Sequence, residues 1–573
     1  MRQSAVLRIR IITAAVLVLA LFLILRLYQV QVIRHDMYVA KAEEQYVHTV
    51  QDLFSRGSIY FTNKTGELFS AAMVESGYVL AANPTEVTDS ETAYAELNKI
   101  IDLDEETFIR RTNMENRTYV VIEEKITEEQ SEHISKLDFS GIRLYKNQWR
   151  NYPGDSLSGR TIGFIGEKSD AENSNASGLY GLERYYDDTL SRTNDRLSVN
   201  FFAEIFSNLG GLVFDTASKR TGDIVTSIEP IVAGMLQQEL INTNDTWNSK
   251  LTGGIIINPK TGEVIALDAV PAFNLNDRSG ATIEDFQNPL VENVYEFGSI
   301  MKALTMAAGI DSGAVAPTTT YYDQGFIDLD TYTIRNYDHR GRGTVDMQEV
   351  LNQSLNTGAA FIVDTMGKNA FREYFLNLKL GSETGIDLPN EAYGLVDNLN
   401  SPREVEYATA SFGQGIATTP IAMARALSTL ANGGTLITPH LATQIKYEDG
   451  TVKDIVFPEG ERVFSEETSE EISRMLTNVV DEALRGGTVK LDNYSIAAKT
   501  GTAQIADEVN GGYYENKYLH SFFGYFPSYD PEYLIFLYTV EPKNVQYASE
   551  TLTETFMNIT KFLINYYNVP PDR

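Results

Sequence analysis

A serine and a lysine three positions apart are the first residues whose types and spacing could do chemistry. Ser299 and Lys302 lie in the stretch EFGSIMKALTMAAG (296–309), whose other residues are mostly apolar and predict a buried helix. Residues i and i+3 share one face of a helix, so we expect the lysine amine beside the serine hydroxyl. A serine becomes a good nucleophile when a base takes its proton, and burial or a second cation can lower the pKa of a lysine enough for that task. The alternative is an ordinary surface pair, which is what most S-x-x-K matches are.

A second serine and an asparagine follow in the stretch NQSLNTGAAF (352–361). The hydroxyl of Ser354 could relay a proton, and the carboxamide of Asn356 could hold a peptide-like amide. Serine and asparagine also favour helix caps and turns, so a structural role is the alternative. Taken alone, this S-x-N pattern has no functional meaning.

A lysine, a glycine and two threonines form a third pattern, K-T-G-T, within YSIAAKTGTAQIA (494–506). This stretch reads as a strand, in which the lysine and the glycine face one way and the threonines the other. We expect a ligand backbone to approach the strand edge at the glycine, while the lysine and the threonine hydroxyls suit a carboxylate. The alternative is an ordinary β-turn, as we predict for PKTGE (259–263). The residues of the pattern are Lys499, Thr500, Gly501 and Thr502.

The elements around these patterns predict one folded domain. The stretch LTGGIIINPKTGEVIALDAVP (251–271) predicts a hairpin of two apolar strands around the turn 258–262. Helical patterns follow, then strands to about residue 540 and a last helix. We therefore expect the first and last segments to share one sheet packed against helices, which is an α/β or α+β domain.

The N-terminus predicts a membrane anchor. Residues 11–25 carry no charge, and a snorkelling Arg26 extends the run to residues 11–28, near the roughly 20 residues that a span needs. Three arginines precede the run, which predicts a cytoplasmic tail (1–10) and an external remainder. A cleaved signal peptide is the first alternative, but no small-x-small cleavage site follows the run. A buried core helix, the second alternative, fits poorly with arginine on both sides.

Composition excludes several function classes. At 573 residues, we expect two or three domains. The net charge of −31 argues against a nucleic-acid partner. The chain has no cysteine, which excludes a thiol nucleophile and a cysteine-based metal site, and its six histidines show no metal-binding spacing. We therefore expect neither a metal nor a cofactor.

In this order, S-x-x-K, S-x-N and K-T-G are the signature of penicillin-binding proteins and class A β-lactamases. The sequence resembles a class B penicillin-binding protein, a monofunctional peptidoglycan D,D-transpeptidase, and most resembles the cell-division type. Longer stretches share the resemblance: RGSIYF (56–61), YPGDSLSGRTIGFIG (152–166), GLYGLERYYDDTL (178–190), GEVIALDAVPAFNLN (262–276), TGIDLPNE (384–391), SFGQGIATTPIAMA (411–424) and SFFGYFP (521–527).

The resemblance implies an anchor, an elongated mixed pedestal domain (29–222, dimerisation-like) and a transpeptidase domain (223–573). The latter would have the penicillin-binding and serine β-lactamase-like fold, an antiparallel sheet with helices on both sides. This chain departs from the usual pattern at Phe297, where the family has proline, and at FTNKTGE (61–67), where an acidic-basic turn is usual.

By resemblance, the serine of S-x-x-K attacks the D-Ala-D-Ala carbonyl of a peptidoglycan stem peptide, and an amine of a second stem peptide then takes the acyl group. β-Lactams would acylate the same serine. The backbone N–H groups of Ser299 and Thr502 would form the oxyanion hole. Expected partners are a membrane glycan polymerase and other division proteins. The implied catalytic residues are Ser299, Lys302 and Ser354, and the implied substrate-binding residues are Asn356, Lys499, Thr500, Gly501 and Thr502.

Other serine-acylating proteins remain alternatives. A class A β-lactamase needs a deacylating glutamate in E-x-x-L-N, but the nearest string, QEVLN (348–352), has Gln348 in that place and precedes Ser354. A D,D-carboxypeptidase would use water as the acceptor. A bifunctional enzyme would need a glycosyltransferase domain before Ser299, and a β-lactam sensor would need several membrane spans. The patterns leave open whether the role is in division or elongation.

The stretch VNFFAEIFSNLGGLVFD (199–215) is not explained by these patterns. Read as a helix, it has one broad apolar face. We expect it either to pack between the pedestal and the catalytic domain or to rest on the membrane surface or a membrane partner.

Overall fold

The computed structural model describes residues 56–115, 117–167, 176–191, 220–329, 332–507 and 509–573. The predicted tail (1–10) and anchor (11–28) and the apolar stretch 199–215 lie outside the described residues. Within the part of the chain that is described, no helix is both long and apolar enough to cross a membrane.

The strands among the described residues are β1 (Ile59–Thr62), β2 (Leu68–Ala82), β3 (Val120–Ile126), β4 (Ile142–Asn151), β5 (Ile165–Glu167), β6 (Ala176–Gly178), β7 (Gly222–Thr226), β8 (Leu251–Ile257), β9 (Val264–Val270), β10 (Thr320–Asp323), β11 (Phe326–Leu329), β12 (Tyr332–Arg335), β13 (Gly343–Asp346), β14 (Thr435–Leu436), β15 (Ala442–Tyr447), β16 (Val452–Asp454), β17 (Glu461–Arg462), β18 (Ala497–Ala506), β19 (Tyr513–Phe526) and β20 (Tyr533–Val540).

The α-helices of the same residues are α1 (Ser90–Leu97), α2 (Glu105–Thr112), α3 (Glu128–Ser135), α4 (Gly159–Ile162), α5 (Gly181–Tyr185), α6 (Asp187–Leu190), α7 (Pro230–Trp247), α8 (Ile283–Phe286), α9 (Met301–Asp311), α10 (Met347–Asn352), α11 (Asn356–Met366), α12 (Lys368–Asn377), α13 (Glu404–Ala410), α14 (Pro420–Ser428), α15 (Glu466–Asn478), α16 (Ala548–Thr551) and α17 (Thr553–Tyr567).

The chain divides into two compact units, and the smaller one has a core of its own. Its described residues are Arg56, 74–115 and 117–151. Here β2 pairs with both β3 and β4. Helices α1, α2 and α3 begin at the side-chain caps Asp89, Asp104 and Thr127, each of which accepts a hydrogen bond from the first turn. Their apolar faces and those of the strands enclose a core that includes Leu80, Leu97, Phe108, Ile122, Ile126 and Ile134.

The larger unit contains a five-stranded antiparallel sheet in the order β18-β19-β20-β8-β9. Strands β8 and β9 form the predicted hairpin, and β20 pairs with β8, so the first and last segments of this domain share one sheet as expected. Every residue of β20 (YLIFLYTV) is buried, which explains its unbroken apolar run.

Helices cover both faces of this sheet. On β19, Gly524 packs against Phe556 of α17, while the next residue, Tyr525, shares a 2.8 Å hydrogen bond with Ser473 of α15. Successive residues of a strand point to opposite faces, so α17 and α15 lie on opposite sides. The predicted α/β (α+β) class, an antiparallel sheet with helices on both sides, is confirmed.

Segments from before the predicted boundary at residue 222 also belong to the larger unit, which comprises residues 57–73, 152–191 and 214–573. The buried guanidinium of Arg160 holds one of these segments in place, because Nη1 donates to the carbonyl oxygens of Ala269 (2.7 Å) and Pro271 (2.8 Å). The linear division at residue 222 stays a prediction.

Candidate active site

The serine of S-x-x-K lies in a short 3₁₀ turn, Gly298–Ile300, that leads directly into α9. Gly298 has a φ of +64°, which a glycine adopts without strain. A Cβ at this position would lie 2.5 Å from the carbonyl oxygen of Thr502. Glycine therefore allows the turn to press against β18, and Ser299 becomes a neighbour of the K-T-G strand.

The lysine of S-x-x-K is inside the protein. Lys302 is only 1 % exposed because α9 is buried along most of its length. Its Nζ lies 3.0 Å from Ser299 Oγ and 3.1 Å from Ser354 Oγ, and it donates to the Ser354 carbonyl oxygen at 2.6 Å. Burial, followed by the nearby charge of Lys499, holds the pKa of Lys302 well below its ordinary value. Lys302 therefore has both the position and the chemistry of a base for Ser299.

The S-x-N residues lie between α10 and α11. Ser354 has a left-handed φ of +52°, which makes a sharp turn that directs its carbonyl and its hydroxyl toward Lys302. Asn356 begins α11, and its Nδ2 donates to the carbonyl oxygen of Arg335 at 2.8 Å. This hydrogen bond fixes the amide group and leaves Oδ1 as the acceptor of the carboxamide.

The lysine of K-T-G reaches the same centre from β18, which is an edge strand of the sheet. Lys499 Nζ donates to Ser354 Oγ and to the carbonyl oxygen of Thr500, each at 3.0 Å. Burial lowers the pKa of Lys499 to about 7. The hydroxyl of Ser354 is thus within hydrogen-bonding distance of two buried amines, which is the geometry of a proton relay.

Gly501 lies where β18 approaches the turn that carries Ser299. A Cβ at this position would meet the hydroxyl of Ser521 at 2.4 Å and the carbonyl oxygen of Phe297 at 2.5 Å. The missing side chain therefore makes room for the turn that carries the serine nucleophile. Thr500 and Thr502, on the other face of the strand, line the cleft, and Thr502 Oγ1 accepts a hydrogen bond from Ala548 N at 3.1 Å.

A cleft of about 650 Å³ opens onto these residues. Ser299, Ser354 and Asn356 line one part of it, and residues 499–502 of β18 contribute Lys499, Thr500 and Thr502. In the described part of the chain, no cluster of histidine, aspartate and glutamate side chains could hold a metal ion. The three sequence patterns therefore form one site for acyl transfer through serine, although Lys302 and Lys499 are 197 positions apart in the sequence.

Two family models match the chain. The one described as "Penicillin binding protein transpeptidase domain" matches residues 252–561, more than half of the 573 residues. The one described as "Penicillin-binding Protein dimerisation domain" matches residues 54–201. The chain belongs to the penicillin-binding proteins. The predicted family, class B with its dimerisation and transpeptidase domains, is confirmed, and so is the predicted enzyme class, a serine-type peptidoglycan transpeptidase.

Curated relatives and solved structures agree with this family. Stage V sporulation protein D of Bacillus subtilis is 28 % identical over 551 residues, 92 % of this chain and 82 % of the relative. Peptidoglycan D,D-transpeptidase FtsI of Escherichia coli is 25 % identical over 99 % of this chain and 92 % of its own. Penicillin Binding Protein 2X of Streptococcus thermophilus shares the fold, with a TM-score of 0.70 at 22 % identity over 90 % of this chain and 80 % of that chain.

The serine turn of this penicillin-binding protein has supports that the motifs did not reveal. Gly298 N donates to the carbonyl oxygen of Gly413 at 3.2 Å, and Gly415 N donates to Glu296 Oε1 at 3.0 Å. Glu296 also accepts a hydrogen bond from the hydroxyl of Tyr513 at 3.0 Å. The sequence analysis used the stretch SFGQG (411–415) only as part of the family resemblance and predicted no contact between it and the serine turn.

The phenylalanine that replaces the usual proline is part of an aromatic cluster. Phe297 is 1 % exposed, and its ring lies 5.1 Å from the ring of Phe536 and 6.0 Å from that of Tyr538. Its carbonyl oxygen accepts a 2.7 Å hydrogen bond from the hydroxyl of Ser521. These contacts anchor the turn ahead of the serine nucleophile.

Proposed function

We propose that this penicillin-binding protein crosslinks peptidoglycan by transferring the acyl group of a D-Ala-D-Ala stem peptide through an ester on Ser299. The observation that carries the proposal is the 3.0 Å contact between Ser299 Oγ and the buried amine of Lys302. Since its pKa is lowered, Lys302 can be neutral when the substrate arrives, and a neutral amine has the lone pair that a base requires.

In the acylation step, Ser299 Oγ attacks the carbonyl carbon of the penultimate D-alanine while its proton moves to Lys302 Nζ. Backbone N–H groups of Ser299 and Thr502 stabilise the oxyanion, a contribution of roughly 3 kcal/mol per donor in related chemistry. The C–N bond then breaks. The proton passes from Lys302 through Ser354 Oγ to the departing nitrogen, so the terminal D-alanine leaves as a free amino acid.

In the second step, an amine of a neighbouring stem peptide attacks the ester carbonyl. The nitrogen gives up a proton through Ser354 and Lys302, and the C–O bond to Ser299 breaks as the serine recovers a proton. The product is a new peptide bond between two stem peptides. Asn356 would hold the amide of the donor, and Lys499, Thr500 and Thr502 would bind its terminal carboxylate.

Hydrolysis of the ester is the competing outcome, as in a β-lactamase or a carboxypeptidase. Gln348, the first residue of the string nearest to E-x-x-L-N, donates from Nε2 to Asn352 Oδ1 and to the carbonyl oxygen of Met475, each at 3.0 Å. An amide cannot act as a general base toward water. The ester should therefore persist until an amine arrives, and a β-lactam, which supplies no amine, should remain bound.

Membrane attachment and division partners belong to the same proposal. The apolar run 11–28, uncharged from residue 11 to 25 and with arginines before it, supports an anchor with an external catalytic domain. A glycan polymerase in the membrane, with other division proteins, would supply the strands to be crosslinked. A tag at Arg573 should be cleaved by external protease in spheroplasts, and a tag protected from protease would contradict this topology.

The experiment that tests the function measures the intact mass of the full-length protein in detergent after incubation with a penicillin, followed by peptide mapping. We expect one adduct per chain, on Ser299, with a lifetime long compared with the assay, and no adduct on Ser299→Ala. An adduct at another residue, or rapid turnover of the penicillin, would refute the proposal.

A further inference from the structure

The walls of the cleft have a charge balance unlike that of the whole chain. The sequence carries 78 aspartate and glutamate residues against 47 lysines and arginines. Among the described residues that line the cleft, however, none is acidic, whereas the basic ones are Arg335, His339, Arg485 and Lys499. A wall without carboxylates, in a protein with an excess of them, favours an anionic ligand.

Two of these basic residues have a left-handed backbone, His339 with a φ of +60° and Arg485 with a φ of +48°. Arg485 lies in Leu484–Gly487 and is followed by two glycines with φ values of +65° and +75°. A glycine would adopt this conformation without cost, so an arginine there is a feature that requires a reason. No part of the serine mechanism above uses this residue.

The side chain of Arg485 is fixed at the wall that carries Thr502. Its Nε donates to the carbonyl oxygen of Ser549 at 3.1 Å, and its Nη2 donates to that of Glu550 at 3.4 Å. The segment that contains Ser549 and Glu550 also contacts the K-T-G strand, because Ala548 N donates to Thr502 Oγ1. Residues 548–550 therefore contact both Arg485 and Thr502, one of the threonines to which we assign the carboxylate of the donor.

The guanidinium has capacity for a ligand. An arginine has five N–H donors, and these two contacts use two of them. Within the described part of the chain, no carboxylate oxygen lies within 4 Å of the guanidinium. Arg335, by contrast, lies beside Asn356, to which we assign the amide of the donor peptide. Arg335 is therefore the less suitable cation for the terminal carboxylate.

We propose that Arg485 is a further substrate-binding residue, which places a permanent positive charge at the Thr502 side of the cleft for the terminal carboxylate of the donor peptide. The inference rests on the proposed function, since it assumes that the donor is bound along β18. Lys499 supplies this charge only in part, because its amine is committed to Ser354 and Thr500 and its pKa is lowered to about 7.

The test compares two thioester donors that differ only in their end: one with a free carboxylate and one with the methyl ester of that carboxylate. Each is given to the full-length protein, and kcat/KM for thiol release is measured. The variants are Arg485→Gly, which suits the left-handed backbone, and Arg485→Lys, which keeps a charge. Arg462→Gln, outside the cleft on β17, is the control with the same loss of one positive charge.

We expect Arg485→Gly to lower kcat/KM for the carboxylate donor by about tenfold and to leave the methyl ester unchanged. Arg485→Lys should keep part of the preference for the carboxylate donor over the methyl ester, and Arg462→Gln should behave as the wild type. An unchanged ratio between the two donors, or an equal fall for both, would overturn the assignment. Either result would still show acyl transfer through Ser299, so a failure here is distinct from a failure of the proposed function.

Discussion

The amine of Lys302 lies 2.6 Å from the carbonyl oxygen of Ser354 and 3.1 Å from its hydroxyl oxygen. A neutral amine has two N–H donors and one lone pair. If one donor binds the carbonyl and the other the hydroxyl of Ser354, the lone pair remains for the proton of Ser299, 3.0 Å away. The left-handed turn at Ser354 thus orients the base as well as forming part of the proton path.

Replacing Lys302 by arginine should nearly abolish acylation although the positive charge is kept. Arginine does not lose its proton in proteins, so it cannot accept one from Ser299. We expect the second-order rate constant for penicillin acylation to fall by at least about 100-fold, the size of a general-base contribution. This rate constant is measured by quenching the reaction at successive times and determining the acylated fraction by intact-mass spectrometry. Lys490→Arg, at a partly exposed ion pair with Asp481, is the control and should acylate normally. A rate within about threefold of wild type would mean that Lys302 acts only as a neighbouring charge.

Two substitutions of Ser354 separate its hydroxyl from its backbone. Both Ser354→Ala and Ser354→Gly remove the oxygen that Lys302 and Lys499 contact, so both should lose acylation rate to a similar extent. The φ of +52° costs alanine more than glycine, so the glycine variant should unfold at higher temperature, with a difference of about 1 kcal/mol in the free energy of unfolding. Calorimetry and acylation rates measured together would check this. Full activity in Ser354→Gly would show that the residue is only a turn.

Much of the catalytic centre could be predicted from the sequence because its parts obey local rules. The i, i+3 spacing of S-x-x-K places Lys302 Nζ beside Ser299 Oγ, and the apolar neighbours on α9 predict its burial. The strand period of K-T-G-T is seen in the burial of its residues, because Lys499 and Gly501 are buried while Thr500 and Thr502 are half-buried. Helical and strand periodicity alone suffice for such statements.

The contacts of Gly501 and Glu296 could not be predicted in this way. Each depends on segments that are far apart along the chain: Gly501 meets the carbonyl of Phe297, and Glu296 meets Tyr513. Periodicity describes which face a residue occupies, not which segment covers that face. Tertiary packing decides which segment covers a face, and at Gly501 that segment is the turn that carries Ser299.

Removing the buried amine of Lys499 should stabilise the protein in a pH-dependent manner. Between the folded-state pKa of about 7 and the ordinary value of 10.5, the unfolded chain binds more protons at this residue than the folded chain does. Wild-type stability should therefore rise with pH across this window. We expect Lys499→Met to be more stable than wild type at pH 7, with an advantage that shrinks by about 1.4 kcal/mol per pH unit toward pH 9. Urea denaturation at pH 7, 8 and 9 measures this, and a difference independent of pH would contradict the burial of a titrating amine.

Gly298 should be intolerant of any side chain because it lies against β18. In Gly298→Ala, the new Cβ would lie 2.5 Å from the carbonyl oxygen of Thr502, and the φ of +64° adds its own cost. The turn must move away from the strand, which displaces Ser299 Oγ from the base and from the N–H of Thr502. We expect stability to fall by about 1–3 kcal/mol and penicillin acylation to fall by at least about 100-fold.

Gly313 is the matched control for this substitution. It follows the same helix, α9, and has a φ of +70°, but a Cβ there would meet nothing within 4 Å. Gly313→Ala therefore includes the cost of a left-handed alanine without the contact to β18. It should lose about 1 kcal/mol of stability and keep its acylation rate. If both alanine variants acylate at the wild-type rate, the close approach of Gly298 to Thr502 is not what positions Ser299. If both lose activity equally, the backbone conformation of α9 matters more than the contact.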